Sequence, residues 1–215
     1  MFAEGVENDG RRGARIVRRL NAFEVGIIAF GAALNITVGY LVAALKLPFY
    51  LDSIGTVVIA VLCGWVHGIL AGLAGLLVMT VTSTPTIIAY AGTTVVIAVL
   101  SHLLAKAGFL KKPSITVIGG LAVGCAAAFA SAPVTAFLYG GVSLAGSDAI
   151  TTFFRASGLP VCQSVLFGGL VTDPLDKLAT ALIAMLLVRS LPPSLLGRFG
   201  GAGSVVSQDE REGES

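Results

Sequence analysis

The stretch that decides the fold lies near the start of the chain and reads FEVGIIAFGAALNITVGYLVAALKLPFYLDSIGT, residues 23–56. From about Phe23 to Leu45 it is almost wholly apolar, which is long enough to cross a hydrocarbon core that needs about 20 helical residues. It then becomes polar at Tyr50, Asp52 and Ser53 before a second apolar run begins. The stretch therefore predicts a membrane helix followed by a polar loop, and it raises the question of what the Asp52 carboxylate does there.

The composition of the whole chain extends this prediction. Of its 215 residues, 55% are hydrophobic and 12% are charged, and the mean hydropathy is +0.91. A soluble domain carries about 25% charged residues, so we expect an integral membrane protein whose helices pack closely through glycine and alanine. Three scattered cysteines exclude a disulfide scaffold, and the basic residues do not form the single face that nucleic-acid binding would need.

Six apolar segments follow one another along residues 21–192, so we expect an all-α membrane domain of six transmembrane helices that lies in the lipid bilayer. A basic cytoplasmic segment, residues 1–20, precedes this domain, and a disordered cytoplasmic tail, residues 193–215, follows it. The six apolar segments cover about residues 23–45, 53–64, 66–81, 86–105, 115–139 and 174–191.

The basic residues predict the orientation of the six helices. The side that holds the N-terminus has five arginines before residue 20, three lysines at 106–112 and three arginines from Arg189 onward, which makes eleven of the 14 basic residues. Only Lys46, Arg155 and Lys177 fall on the other side. Because lysine and arginine are enriched in cytoplasmic loops, we expect both termini in the cytoplasm.

The second and third apolar segments are short, and only a turn near Gly64 and Trp65 separates them. A run of about 12 residues is short for a full crossing. Either the two segments form one re-entrant hairpin, or the second helix begins inside the membrane beneath an irregular loop. Irregular backbone at membrane depth is tolerated only where protein or water covers it, so the loop 46–52 would line a cavity.

Polar side chains collect toward the predicted outer side, where we expect a substrate site. Four of them have a purely structural alternative. Asp173 before Pro174 is typical of a helix N-cap, with Lys177 as its i, i+4 partner, and Asp176 would then lie near the positive end of the helix dipole. Asp52 could cap the second helix. The candidate substrate ligands are Asn35, Lys46, Tyr50, Asp52, Ser53, Thr84, Tyr90, Gln163, Asp173, Asp176 and Lys177.

The first helix has two faces of small residues. Gly31, Asn35 and Gly39 share one face at i, i+4 spacing, and a second stripe lies roughly 160° to 200° away. Either Asn35 simply bonds a neighbouring helix, or one face meets a ligand while the other meets a partner helix. The second stripe consists of Ala22, Gly26, Ala29, Ala33 and Thr37.

Two motifs resemble the substrate-binding (S) components of energy-coupling factor (ECF) transporters, a class of ABC importers. They are ALNITVGYLVAALKLPFYLDSIGTVVIAVLCGW, residues 33–65, and GLVTDPLDKLATALIAMLLVRSLP, residues 169–192, and the resemblance extends over about residues 22–192. It implies a six-helix protein in a prokaryotic cell membrane that captures a vitamin or related micronutrient from outside. It also implies docking through Ala29 and Ala33 onto a coupling membrane subunit, which works with two cytoplasmic ATPases.

Other functions remain open at this point. The same fold could serve as a ligand-sensing membrane module, or as a stand-alone carrier without ATPase partners. The sequence has no phosphate-binding loop, zinc-protease helix or nucleophile elbow. We therefore expect no catalytic residues, no metal and no cofactor, and we expect any ATP hydrolysis to occur in partner subunits.

Overall fold

The structure is a computed structural model, and it describes residues 20–47, 49–142 and 148–199. Every regular element in these ranges is helical. The elements are α1 Ala22–Ala44, α2 Ile54–Cys63, α3 Trp65–Thr82, a 3₁₀ helix Pro85–Tyr90, α4 Ala91–Ala105, α5 Pro113–Leu138, α6 Asp148–Ala156, α7 Val161–Arg189 and α8 Pro193–Leu196.

Four segments of the described chain are long and apolar enough to cross a membrane: Ala22–Ala44, Trp65–Thr82, Pro85–Ala105 and Pro113–Leu138. The expected all-helical class is therefore confirmed for the described ranges, together with its compatibility with a membrane. Two helices differ from these four. Helix α2 has only 10 residues, and the 29-residue α7 carries Asp173, Asp176 and Lys177 near its middle.

Helix α1 begins at a capping box. The Asn21 Oδ1 atom accepts a hydrogen bond from the Glu24 backbone N–H at 2.8 Å, and the Asn21 N–H donates to the Glu24 carboxylate at 2.9 Å. These bonds satisfy backbone donors that a helix start leaves free. At the other end α1 stops at Ala44, and Lys46 adopts a φ of 53°, which lies outside the helical region.

Helix α2 forms the centre of the bundle. Each of its residues from Ile54 to Leu62 is buried, which explains why this segment is apolar all round rather than amphipathic. It packs against α1 at Gly55, where a Cβ atom would lie 2.0 Å from the Gly31 carbonyl oxygen. The predicted turn between α2 and α3 is confirmed at Gly64, whose φ of 104° favours glycine.

Helices α5 and α7 form a second close pair. A Cβ atom at Gly124 of α5 would lie 2.3 Å from the Pro174 Cα atom of α7, and one at Gly120 would lie 3.0 Å from the Leu178 Cα atom. The backbones can therefore approach each other only because these positions are glycine. The site described below lies where α7 also meets α2 and the loop before it.

The predicted start of the last apolar segment is wrong. Helix α7 begins at Val161, so Asp173 and Pro174 lie inside it and do not cap it. The first half of α7 buries Ser164, Gly168 and Thr172, one helical face of small and hydroxyl residues. That face lacks the large apolar side chains by which a buried helix is usually recognised in a sequence.

The predicted domain limits need one correction. Residues 193–199 were expected to belong to a disordered tail, but Pro193–Leu196 form α8, and Leu196 joins the hydrophobic core. The Phe199 ring stacks on Phe23 of α1 with ring centroids 5.8 Å apart. Residues 1–19 and 200–215, which make up most of the two predicted cytoplasmic segments, lie outside the described residues.

Candidate functional site

The loop between α1 and α2, residues 45–53, is bound to α7 through Asp176. The Asp176 side chain is fully buried. Its Oδ1 atom accepts hydrogen bonds from the backbone N–H groups of Tyr50 and Leu51, both at 2.8 Å. Leu51 has a φ of 48°, an uncommon conformation for a branched residue, so these two bonds hold the loop in a strained arrangement.

Lys177 joins the loop to α7 a second time. Its Nζ atom donates to the Asp176 Oδ2 atom at 2.5 Å and to the Ser53 Oγ atom at 2.8 Å. The Asp52 Oδ1 atom lies 3.8 Å from the same nitrogen. Because Lys177 is only 6% exposed, its ammonium needs these partners to offset the cost of removing a charge from water.

Asn35 connects α1 to the first turn of α2. Its Oδ1 atom accepts hydrogen bonds from the backbone N–H groups of Gly55 at 2.7 Å and Thr56 at 3.3 Å. Its Nδ2 atom donates to the Thr56 Oγ1 atom at 2.9 Å. The proposed capping role of Asp52 is therefore wrong: Ser53 occupies the N-cap position without a side-chain cap bond, and Asn35 of α1 satisfies the free amides.

These contacts hold residues 50–53 of the loop inside the bundle. Helix α2 starts level with Asn35, which lies nine residues before the end of α1, or about 14 Å along its axis. Gly39 makes room for the loop, since a Cβ atom there would lie 3.3 Å from the Asp52 Cβ atom. Helix α2 therefore begins beneath an irregular loop, and it also packs against α3, where a Cβ atom at Gly68 would lie 2.5 Å from the Ala60 Cβ atom. How the two short helices cross the membrane stays a prediction.

A cavity of about 40 Å³ lies beside this loop. Three of the candidate substrate ligands line this cavity and are therefore brought together by the structure: Asn35, Asp52 and Ser53. Partial burial raises the pKa of the Asp52 carboxyl above its ordinary value, while the nearby Lys177 ammonium acts in the opposite direction. The remaining lining residues are Thr56, Gly72, Gly75, Leu76, Met79, Thr94 and Ile97.

Asp173 belongs to a separate polar region on the α5 side of α7. Its Oδ2 atom lies 3.3 Å from the Ser131 hydroxyl and its Oδ1 atom 3.4 Å from the Thr172 hydroxyl, and each of these hydroxyls shares its one proton with a backbone carbonyl of its own helix. The predicted pairing of Asp173 with Lys177 is not formed, since the Lys177 ammonium donates to Asp176 and Ser53. Asp173 is only 8% exposed, so two weak hydroxyl bonds serve a buried carboxylate.

The remaining candidates do not line the cavity. Tyr90 stacks on Tyr139 with ring centroids 6.1 Å apart, and its hydroxyl shares a hydrogen bond with Thr135. Tyr50 contributes its backbone N–H to Asp176 rather than its ring to the cavity. Lys46, Thr84 and Gln163 are exposed.

The sequence reading missed the α3 and α4 wall of the cavity. Thr56, Thr94 and Met79 line it together with residues of the loop. The sequence does carry one indication of this wall, since Gly72 and Gly75 are spaced to share a helical face. In the structure that face lies close to α2, because a Cβ atom at Gly72 would lie 2.7 Å from the Thr56 Oγ1 atom. These glycines allow close packing of α3 on its neighbours, and they also border the cavity.

The second stripe of α1 faces outward. We call Gly26, Ala29 and Ala33 the α1 seam. All three are exposed, and a Cβ atom added at Gly26 would meet nothing within 4 Å. Within the described part of the chain, then, packing does not account for small residues along this face.

When the chain is compared with known proteins, no family model, curated protein or solved structure matches it.

Proposed function

We propose that this chain is the substrate-capture membrane subunit of an ECF-type importer, which binds a vitamin or related micronutrient. The observation that carries the proposal is the cavity beneath the loop 45–53, lined by Asn35, Asp52 and Ser53 and backed by the Asp176–Lys177 pair. Polar and charged groups at such depth are costly in a membrane protein, and they usually face a cavity or a partner. A binding site would explain why the chain keeps such groups at this depth.

The topology follows from the same proposal. Helix α2 and the charged α7 add two crossings to the four apolar spans, which gives six with both termini in the cytoplasm of a prokaryotic cell. The loop 45–53 and the cavity then face outward, toward the substrate. The excess of basic residues on the other side supports this orientation.

Loading the site requires the loop to move. Pockets for drug-sized ligands measure about 300–1,000 Å³, whereas the cavity measures about 40 Å³. Outward displacement of residues 50–53 would enlarge it, and release of the positive φ at Leu51 would offset part of the lost bonding to Asp176.

The proposed partners are a coupling membrane subunit and two cytoplasmic ATPases. The α1 seam supports docking on another membrane helix, because small residues allow close approach of helix backbones in a bilayer. The chain would supply recognition, and its partners would supply ATP hydrolysis.

The proposal is tested by native mass spectrometry of the gently solubilised protein, followed by reconstitution. We expect a co-purifying micronutrient, and we expect uptake into vesicles only when the coupling subunit and both ATPases are present. Uptake by the chain alone would instead favour a stand-alone carrier. If no small molecule co-purifies and none of a broad vitamin and nucleobase panel stabilises the protein, the proposal is wrong.

A further inference from the structure

We propose that the cavity selects ligands that carry a protonated amine or another cationic group, and that Asp52 is the residue that binds this group. The inference rests on the proposed function, because it names the chemical class of the captured substrate. It is carried by the identity of the charged group that the cavity presents, by the charge balance around it, and by the apolar wall that faces it.

Asp52 is the one ionisable side chain among the described residues that line the cavity. Lys177 contacts Ser53 but does not itself line the cavity. The Lys177 ammonium is also engaged, since it donates to both the Asp176 carboxylate and the Ser53 hydroxyl. A ligand entering the cavity therefore meets a carboxylate and polar neutral groups, and an anionic ligand would have no free cation to bind there.

The charges around the cavity also favour a positively charged ligand. Among the described residues, the carboxylates of Asp52, Asp173 and Asp176 interact electrostatically with the single ammonium of Lys177. Asp176 takes the closest contact with that ammonium and two backbone N–H groups besides. Asp52 is left with a contact of 3.8 Å. A ligand cation could approach this partly buried carboxylate more closely than the Lys177 ammonium does, and so would supply a second counter-charge.

The rest of the cavity fits the apolar body of such a ligand. Leu76, Met79 and Ile97 supply an apolar wall, and the Met79 thioether can adapt to ligand shape or contact an aromatic ring. Asn35 and Thr56 already bond each other across the floor. The lining thus combines one carboxylate with an apolar surface, which suits a small amphipathic cation.

A matched pair of ligands tests this inference on the purified full-length chain in detergent. Pyridoxamine and pyridoxine share the same ring, but pyridoxamine carries a protonated aminomethyl group where pyridoxine carries a neutral hydroxymethyl group. Pantothenate is the anionic control. Binding is measured by ligand-dependent thermal stabilisation. We expect pyridoxamine to bind more tightly than pyridoxine by at least about tenfold, and pantothenate not to bind.

Single substitutions test whether the preference for pyridoxamine depends on Asp52. Asp52→Asn keeps the shape of the side chain and removes its charge, so it should abolish the preference for pyridoxamine, whereas Asp52→Glu should retain it. Asp148→Asn removes a carboxylate at the start of α6, away from the cavity lining, and should leave the preference unchanged. An equal loss in Asp148→Asn would assign the effect to general surface charge and overturn the inference.

The wild-type result stands even if Asp52→Asn does not fold. A preference for pyridoxine or pantothenate, or a neutral or anionic compound in the native mass spectrum, would overturn the cation assignment and leave the proposed function intact. Failure to bind any member of the panel, with no co-purifying molecule, would overturn both. A co-purifying cation would support both.

Discussion

Helix α1 has two faces built from small residues, and the structure uses them in different ways. On one face Gly31 and Gly39 are buried on either side of Asn35, and added Cβ atoms would meet α2, α3 and the loop. On the other face the α1 seam is exposed, and Gly26 has open space around it. A small residue therefore does not by itself indicate packing within the chain.

The difference lies in what accompanies the glycines. The buried face carries Asn35, whose amide binds the first turn of α2, and it leads into the loop that Asp176 binds. The seam carries no comparable polar group, and the described residues of this chain do not cover it. The first face therefore packs within the chain, and the second is the surface that the proposed docking would use.

The largest loss of stability is expected at Asp176, which binds the loop that follows α1. Asp176→Ala leaves the Lys177 ammonium without its closest partner and frees two backbone N–H groups, so we expect a loss of about 3–5 kcal/mol in the free energy of unfolding. Denaturant titration in detergent micelles measures it. The double variant Asp176→Asn/Lys177→Met should recover part of the loss, and no recovery would show that the loss does not come from an unpaired charge.

The next prediction compares a glycine-to-valine substitution in α2, at the point where it packs against the buried face of α1, with the same substitution on the α1 seam. Gly55→Val places a side chain against the Gly31 carbonyl oxygen, where even a Cβ atom would lie 2.0 Å away, so α1 and α2 must separate. We expect a loss of about 3 kcal/mol. Gly26→Val, on the seam, should change the stability little. Similar losses for the two variants, measured by the same titration, would remove the distinction between the faces.

The sequence predicts a large part of this arrangement. The membrane-length run of α1, the break at Gly64 and the two faces of α1 follow from composition and helical spacing, because these features depend on local pattern. Three of the eleven candidate ligands, Asn35, Asp52 and Ser53, do lie together at the cavity, and each is a polar residue that follows or interrupts an apolar run.

The parts that could not be predicted depend on contacts distant in sequence. Asp173 before Pro174 has the local signature of a helix start, but α7 continues through it while packed against Gly124 of α5. In the same way, Asn35 rather than Asp52 satisfies the first turn of α2, and this bond joins residues 20 positions apart. Thr94 and Met79 reach the cavity only through the packing of α3 and α4.

Asn35 itself should have an intermediate effect. Asn35→Leu keeps a similar volume but leaves the N–H groups of Gly55 and Thr56 and the Thr56 hydroxyl without their partner, so we expect a loss of about 2 kcal/mol in the free energy of unfolding. Thr37→Val, on an exposed position of the same helix, is the control. If Asn35→Leu were as stable as the wild type, its bonds to α2 would contribute nothing net, and a ligand role would become the main account of this residue.

The smallest effect on stability is expected at Ala33, and adjacent residues make the comparison direct. Ala32 is 6% exposed and Ala33 is exposed, so Ala32→Leu should overpack the core at a cost of about 1–3 kcal/mol. Ala33→Leu should stay within about 0.5 kcal/mol of the wild type. The second readout is co-purification with the proposed coupling subunit, which Ala33→Leu should weaken because a larger side chain keeps the helices apart. If Ala33→Leu changed neither stability nor co-purification, the α1 seam would not be the docking surface.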